Sequence, residues 1–320
     1  MSTPHFISRP HCPACDTPGQ PVFSRAFAEE KLQAALTAFY AHVGRLDYTW
    51  LADAHYAVAH CPECGTWFQT AIPSDLLLGK LYEEWIDPTK SRQRFHENRP
   101  LHETLACARE VQVALALTRA GAPRTALDYG CGWGEWSRMM QAFGHEAWGT
   151  ELSPTRREHA LRQGIQVVAE NELPDAAFGQ INLDQVLEHV PTPRACLALL
   201  AAKLHPAGSL RLAVPRAGRV PGALRNFDRE LRRPRLGGLN AIAPLEHLNA
   251  FTPTGLLALA TDCGLVRVVP PWSVLIQSFV LPPGLPAKLK SLIRPFYLRS
   301  MATTQLYFRR ADSGVTGSAP

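Results

Sequence analysis

The chain has 320 residues, 46% of them hydrophobic and 19% charged, a composition that suits a soluble globular enzyme with a real core in one large domain plus a smaller one. No run approaches the ~18 apolar residues that a membrane helix needs, and the N-terminal MSTPHFISRP lacks an apolar signal core, so a cytoplasmic location is expected. The formal net charge of +5 is concentrated between residues 216 and 235, where seven arginines face only Asp228 and Glu230. A local patch of that kind points to an anionic partner for one loop and makes a nucleic-acid partner unlikely on charge grounds.

In chain order, residues 1–86 form a cysteine module. Cys12-Pro-Ala-Cys15 and Cys61-Pro-Glu-Cys64-Gly65 are two similar turns, 45 residues apart. Each points two thiolates at one spot, and together they supply the tetrahedral thiolate set that a structural zinc prefers. His11 or His60 is an alternative to one of the four. A closed four-cysteine site leaves no position for water, so its expected role is in folding. The gap holds residues 28–45, whose apolar positions recur at helical spacing. TWFQTAIP predicts a short strand and is followed by a helix ending near Trp85. Residues 87–100, polar and bounded by prolines, predict a linker, and residues 101–120 a long amphipathic helix.

Beyond this the pattern alternates. TALDYG, HEAWGTEL, IQVVAE, FGQINLDQVLEHV and GSLRLAVP each hold a strand. The helices WSRMMQAFG, SPTRREHALRQG, PRACLALLAAKL and TPTGLLALATDCG lie between and after them. LVRVVPPW and TTQLYFRR supply two more strands, and the last residues, 311–320, predict a disordered tail. The alternation is that of a doubly wound α/β sheet.

The loop after the first of these strands is Gly130-Cys131-Gly132-Trp133-Gly134-Glu135. A dinucleotide fingerprint wants glycine or alanine at 135, and a carboxylate there competes with a pyrophosphate for the helix N-terminus. Asp128, two residues before the first glycine, repels a pyrophosphate and suits a ligand carrying cations. S-adenosylmethionine (SAM), with an ammonium and a sulfonium, is such a ligand. Glu151 ends the second strand, 21 residues after Gly130, where a carboxylate can accept ribose hydroxyls.

LDYGCGWGEWS, GTELS, LDQVLEHVPTP and LHPAGSLRLAVP together resemble the class I SAM-dependent methyltransferases over residues 101–310. The cysteine turns, with FQTAIPSDLLLGKLYEEW after them, are similar to the N-terminal zinc-binding module of a subgroup that includes sugar C-methyltransferases acting on nucleotide-linked keto-sugars. The resemblance implies a seven-stranded Rossmann-like sheet of order 3-2-1-4-5-7-6 with strand 7 antiparallel. It assigns Asp128, Gly130, Gly132 and Gly134 to the donor loop, Glu151 to the ribose, Glu170 to the adenine edge, and Asp184 and Gln185 to the loop lining the donor pocket. It makes Glu246-His247 a base and its orienter; His189, after the fourth strand, is the second candidate for the base. The implied acceptor is a small, anionic molecule, phosphate-bearing where the arginines of 216–235 engage it; the alternative is a protein or RNA gripped by the zinc module.

Overall fold

The computed structural model describes residues 5–279 and 285–311. From the N-terminus the elements are β1 (Phe6–Ser8), β2 (Gln20–Ala26), α1 (Glu30–Tyr40), β3 (His55–His60), β4 (Trp67–Gln69), β5 (Ala71–Pro73), α2 (Asp75–Lys80), α3 (Pro88–Arg92) and α4 (Leu101–Leu117). There follow β6 (Thr125–Tyr129), α5 (Glu135–Ala142), β7 (Glu146–Thr150), α6 (Pro154–Arg162), β8 (Gln166–Val167), β9 (Phe178–Asp184), α7 (Pro193–Lys203) and β10 (Leu204–Ala213). The chain ends with α8 (Val220–Arg225), α9 (Phe227–Glu230), β11 (Asn249–Ala250), α10 (Pro253–Asp262), β12 (Leu265–Val268), α11 (Trp272–Gln277), α12 (Leu285–Arg299) and β13 (Gln305–Arg310).

Two compact units divide these elements. One is built from Met1–Asn98, Gln185–Arg194 and Val214–Leu256; the other from Arg99–Asp184, Ala195–Ala213 and Leu257–Pro320. The second unit carries a seven-stranded mixed sheet in the order β12-β13-β10-β9-β6-β7-β8. Numbered in chain order within the sheet, this is 6-7-5-4-1-2-3. Its strands β8 to β10 run parallel through β6 and β7, and β13 is antiparallel to both β10 and β12. β6 and β9 are buried almost throughout, as befits central parallel strands covered on both faces. α4 and α5 close over β6 through Cys107, Val111, Ala126, Trp136 and Met140. α6 starts where Ser153 accepts the Arg156 amide and Pro154 takes the first turn.

The first unit differs from the sequence expectation in two ways. Residues 88–97 of the expected linker are not irregular but helical, and the boundary between the two units falls just after them, at Asn98–Arg99. Pro88 sits at the first position of α3, the Asp87 carboxylate accepts the amides of Thr89 and Lys90, and a π-helical turn continues to Glu97. A proline one residue after an aspartate starts a helix as readily as it ends one. Nor is the cysteine module a contiguous domain of 1–86. Its antiparallel sheet, β11-β4-β3-β2, takes its edge strand from residues 249–250. Its core joins Leu32, Leu36 and Tyr56 to Val220, Phe227 and Leu239. Residues 312–320 of the expected tail lie outside the described residues. Among the described residues no helix is long and apolar enough to cross a membrane.

Each cysteine turn is braced by one of the later segments of this unit. Arg194 donates from Nε and Nη2 to the Ala14 carbonyl, at 2.9 and 2.6 Å. Thr252 donates its hydroxyl to the Cys64 carbonyl at 3.3 Å, and the first turn of α10 presses on the same group. A Cβ on Gly255 would sit 2.3 Å from the Cys64 oxygen. Gly→Ala in a helix ordinarily gains about 1 kcal/mol. Here a backbone carbonyl blocks the methyl, so Gly255→Ala is expected to destabilise the protein by about 1–3 kcal/mol. Chemical denaturation checks the sign: a variant more stable than the parent would show that this contact yields freely.

Candidate functional site

The glycine loop joins β6 to α5. Gly130, Gly132 and Gly134 all have positive φ (73°, 56° and 82°), a conformation that only glycine adopts without cost. A Cβ on Gly132 would meet nothing within 4 Å, so the loop is open on that side, and Gly134 caps α5. Glu151 holds the loop in shape: its Oε2 accepts the Gly132 amide at 2.9 Å and its Oε1 the Ser153 amide at 2.8 Å. Each oxygen keeps a lone pair for a further donor.

Asp128 is buried at the end of β6. Its carboxylate accepts Asn182 Nδ2 at 2.7 Å and Ser137 Oγ at 3.2 Å, both neutral donors. Burial pushes its pKa up to about 7, against the pull of those two bonds. A buried carboxylate with only neutral partners gains most from a cation. Behind it, Asn182 also accepts from the buried Arg211 at 2.8 Å, and Arg211 pairs with Glu110 at 2.7 Å and Asp184 at 3.2 Å. Asp184 is thus anchored by an arginine that the sequence reading did not single out. Glu170 opens a short 3₁₀ turn after β8 and accepts the Tyr129 hydroxyl. Gln185, the first residue of the Gln185–Arg194 segment, has a left-handed backbone (φ 55°).

In the other unit the four cysteines Cys12, Cys15, Cys61 and Cys64 converge, and neither His11 nor His60 belongs to the cluster. Sγ–Sγ distances are 3.5 Å (Cys12–Cys64), 3.4 Å (Cys15–Cys61) and 3.6 Å (Cys15–Cys64). A tetrahedral ion with bonds of ~2.3 Å to sulfur sets its ligands about 3.8 Å apart, so the donor set fits zinc. The two turns match residue for residue: Cys12 and Cys61 accept the amides of Asp16 and Gly65, which both have positive φ. The remaining cysteines, Cys107, Cys131, Cys196 and Cys263, lie outside this cluster, and the first three are buried.

The same unit gathers Glu188, His189 and His247, whose ligating atoms lie within 4.8 Å of one another. The two imidazoles pack edge to face with centroids 4.7 Å apart, and His189 Nδ1 is 3.4 Å from the Tyr82 hydroxyl. His247 donates Nδ1–H to the Asn240 carbonyl at 2.5 Å, which leaves Nε2 with the lone pair. Burial lowers its pKa to about 4, so the ring is neutral near pH 7. Three residues pin the backbone of this cluster. Arg9 donates to the carbonyls of Gln69, Pro191 and Leu248. Gln69 Nε2 donates to those of Ala243 and His247, and Asn249 Nδ2 to those of Leu187 and Val190.

Residues 95–269, more than half of the chain, match a family model described as a methyltransferase domain. The chain belongs to this methyltransferase family. It is similar to a ubiquinone biosynthesis O-methyltransferase of Xanthomonas euvesicatoria pv. vesicatoria, 34% identical over 136 residues that cover 39% of this chain and 55% of the relative. A second ubiquinone biosynthesis O-methyltransferase, from Idiomarina loihiensis, is 30% identical over 140 residues, covering 40% of this chain and 51% of the relative. The chain thus spans about half the length of these curated relatives. The 1,6-didemethyltoxoflavin-N1-methyltransferase of Burkholderia thailandensis, solved with S-adenosylhomocysteine, is 17% identical and aligns 79% of this chain with 99% of its own at a TM-score of 0.42.

Glu246, which the resemblance makes the orienter of His247, has a partner of its own. Its carboxylate accepts the Tyr40 hydroxyl at 2.6 Å, and the Asn240 carbonyl is what orients His247. The carboxylate gathered with the two histidines is Glu188, fully buried and 59 residues away in sequence from His247. The only sequence signal for it was the Glu-His dipeptide in LDQVLEHVPTP. Arg9, Gln69 and Asn249 gave none, because their acceptors are backbone carbonyls contributed by distant segments.

Proposed function

We propose that this methyltransferase acts on a small anionic acceptor, such as a nucleotide-linked sugar or a related metabolite, and that His247 removes the acceptor's proton. The observation that carries this reading is the neutral, half-buried His247, tautomerically fixed by Asn240 and accompanied by His189 and Glu188. When bound, SAM supplies a methyl group already made electrophilic by its sulfonium. The chain's own share is to align the acceptor and to take its proton. His247 Nε2 accepts that proton, and the Glu188 carboxylate stabilises the imidazolium that forms. His189, beside Tyr82, orients the acceptor. The relatives' names describe an O-methylation, so a hydroxyl acceptor is compatible with this base.

Donor binding falls to Asp128, Gly130, Gly132, Gly134, Glu151, Glu170, Asp184 and Gln185. Asp128 faces the donor's positive charge, Glu151 accepts ribose hydroxyls with its remaining lone pairs, and the open loop at Gly132 admits the ligand to backbone distance. Cys12, Cys15, Cys61 and Cys64 hold a structural zinc. SAM affinity is expected to weaken as pH falls from about 8 to 6. A cation binds the ionised form of Asp128, which is lost below its value of about 7, at up to about tenfold per pH unit. Asp128→Asn flattens that dependence. Calorimetry of the parent and the variant at three pH values measures it, and a flat profile for the parent removes Asp128 from the donor site.

Methyl-labelled SAM, the purified protein and a size-fractionated, desalted cell extract test the acceptor. Label in the small anionic fraction supports the reading. Label in protein or RNA replaces it with a macromolecular substrate.

A further inference from the structure

α1 has two apolar stripes. Leu32, Leu36 and Tyr40 enter the core of the first unit. The other stripe, Ala34, Ala35, Ala38 and Phe39, is left outside that buried set and forms one wall of a cavity of about 710 Å³. Leu231 and Leu236, members of the buried core, also line it with little exposed surface. The rim is cationic: Lys31, Arg232, Arg233 and Arg235 line the cavity together with a single acid, Asp228. Asp228 is paired with Lys31 at 2.6 Å, and Arg233 lies 3.4 Å from Glu230. Arg232 donates Nε to the Asp228 carbonyl, and Arg235 has no carboxylate partner among the described residues.

The arginine wall is held in a costly shape. Arg235, Leu236 and Gly237 have positive φ in succession (52°, 57° and 54°). Two of these are not glycine, at a cost of about 1–2 kcal/mol each. Glu230 fixes the turn by accepting the Gly238 amide at 2.6 Å, and a Cβ on Gly237 would lie 2.2 Å from that carboxylate. Apolar floor, cationic rim and a backbone locked in an unfavourable form are what a preorganised pocket for an amphipathic anion requires. Guanidinium groups in such a cluster suit phosphate oxygens, which they bind in pairs.

We propose that this groove binds a small organic phosphate, its planar or aliphatic body on the apolar floor of the α1 stripe and its phosphate among Arg232, Arg233 and Arg235. The proposal rests on the reading of a small anionic acceptor, whose charged handle the groove holds. Binding is measured by calorimetry on the full chain without SAM, so the result does not depend on methyl transfer. SAM binding, followed in parallel, reports on that activity separately. The probes are inorganic pyrophosphate, uridine diphosphate, geranyl diphosphate, uridine and geraniol.

One of the two esters is expected to bind at about 10–100 µM, at least about tenfold tighter than pyrophosphate or its own neutral body. Preference for uridine diphosphate identifies a nucleotide handle, and preference for geranyl diphosphate a lipid one. The double variant Arg232→Ala/Arg235→Ala, at exposed positions, is expected to weaken the better ester by about tenfold or more. Ala38→Trp, also exposed, fills the floor without changing charge and is expected to do the same. Pyrophosphate binding as tightly as both esters would reduce the groove to a non-specific basic patch and overturn the proposal. So would the absence of saturable ester binding, or an affinity unchanged in both variants while their thermal unfolding matches the parent.

Discussion

Cys61→Ser is expected to abolish the zinc binding proposed for the four cysteines and to unfold the first unit. Cys61 is buried, and its Sγ is one corner of the four-sulfur cluster. The free energy that zinc contributes to small cysteine-ligated folds is about 10–16 kcal/mol at neutral pH. That is comparable to or larger than the whole stability of an ordinary domain, about 5–15 kcal/mol. The apolar core of this unit is substantial, so the expected product is a collapsed, loosely packed form with the ribbon melted. The measurement is zinc content by elemental analysis, with near-ultraviolet circular dichroism of the parent and the variant. A parent that purifies without zinc, together with a variant that keeps its near-ultraviolet spectrum, would sink the metal assignment.

His247→Asn is expected to lower kcat by about 100- to 10,000-fold while leaving SAM affinity unchanged. Asparagine places an amide nitrogen close to the position of Nδ1 and so keeps the hydrogen bond to Asn240, but it has nothing at Nε2. A residue that merely anchors its loop would tolerate this change, and an unchanged kcat would mark His247 as such. The same variant carries a second signature, in stability. His247 has its pKa depressed from 6.5 to about 4 by burial. The unfolded chain therefore takes up a proton below about pH 6.5 that the folded chain refuses. The stability from the neutral ring is complete above that pH and is lost as pH falls, by about 3 kcal/mol at pH 4. In His247→Asn this part of the acid sensitivity disappears. Denaturation midpoints between pH 7 and pH 4 measure it.

The sheet was legible because its signals are local. Parallel strands buried on both faces give short apolar runs, Ser153-Pro154 starts one helix and Gly164 stops it, and the glycine loop follows its strand at once. The four cysteines were legible for the same reason, since each turn carries its own signature. The helical stretch of 88–97 was hidden by its proline, which serves as a helix start as well as a breaker. The histidine cluster was only half legible. His189 and His247 stood out by type, but Tyr82, the partner of His189, comes from 107 residues away, and the Asn240 carbonyl beside His247 carries no side-chain signal. Glu246 as orienter came from the resemblance, whereas the Asn240 carbonyl is the group bonded to His247 Nδ1.

The bracing of the cysteine turns has a consequence for biosynthesis. All four thiols have been made once residue 64 is polymerised, yet Arg194 and the Thr252–Gly255 turn that grip the two turns come roughly 130 and 190 residues later. At ~5–20 residues per second the second interval lasts about 10–40 s. Throughout it the ribbon lacks both the edge strand at 249–250 and the carbonyl contacts that complete it. During that wait, the zinc proposed for the four cysteines would keep their sulfurs out of wrong disulfides.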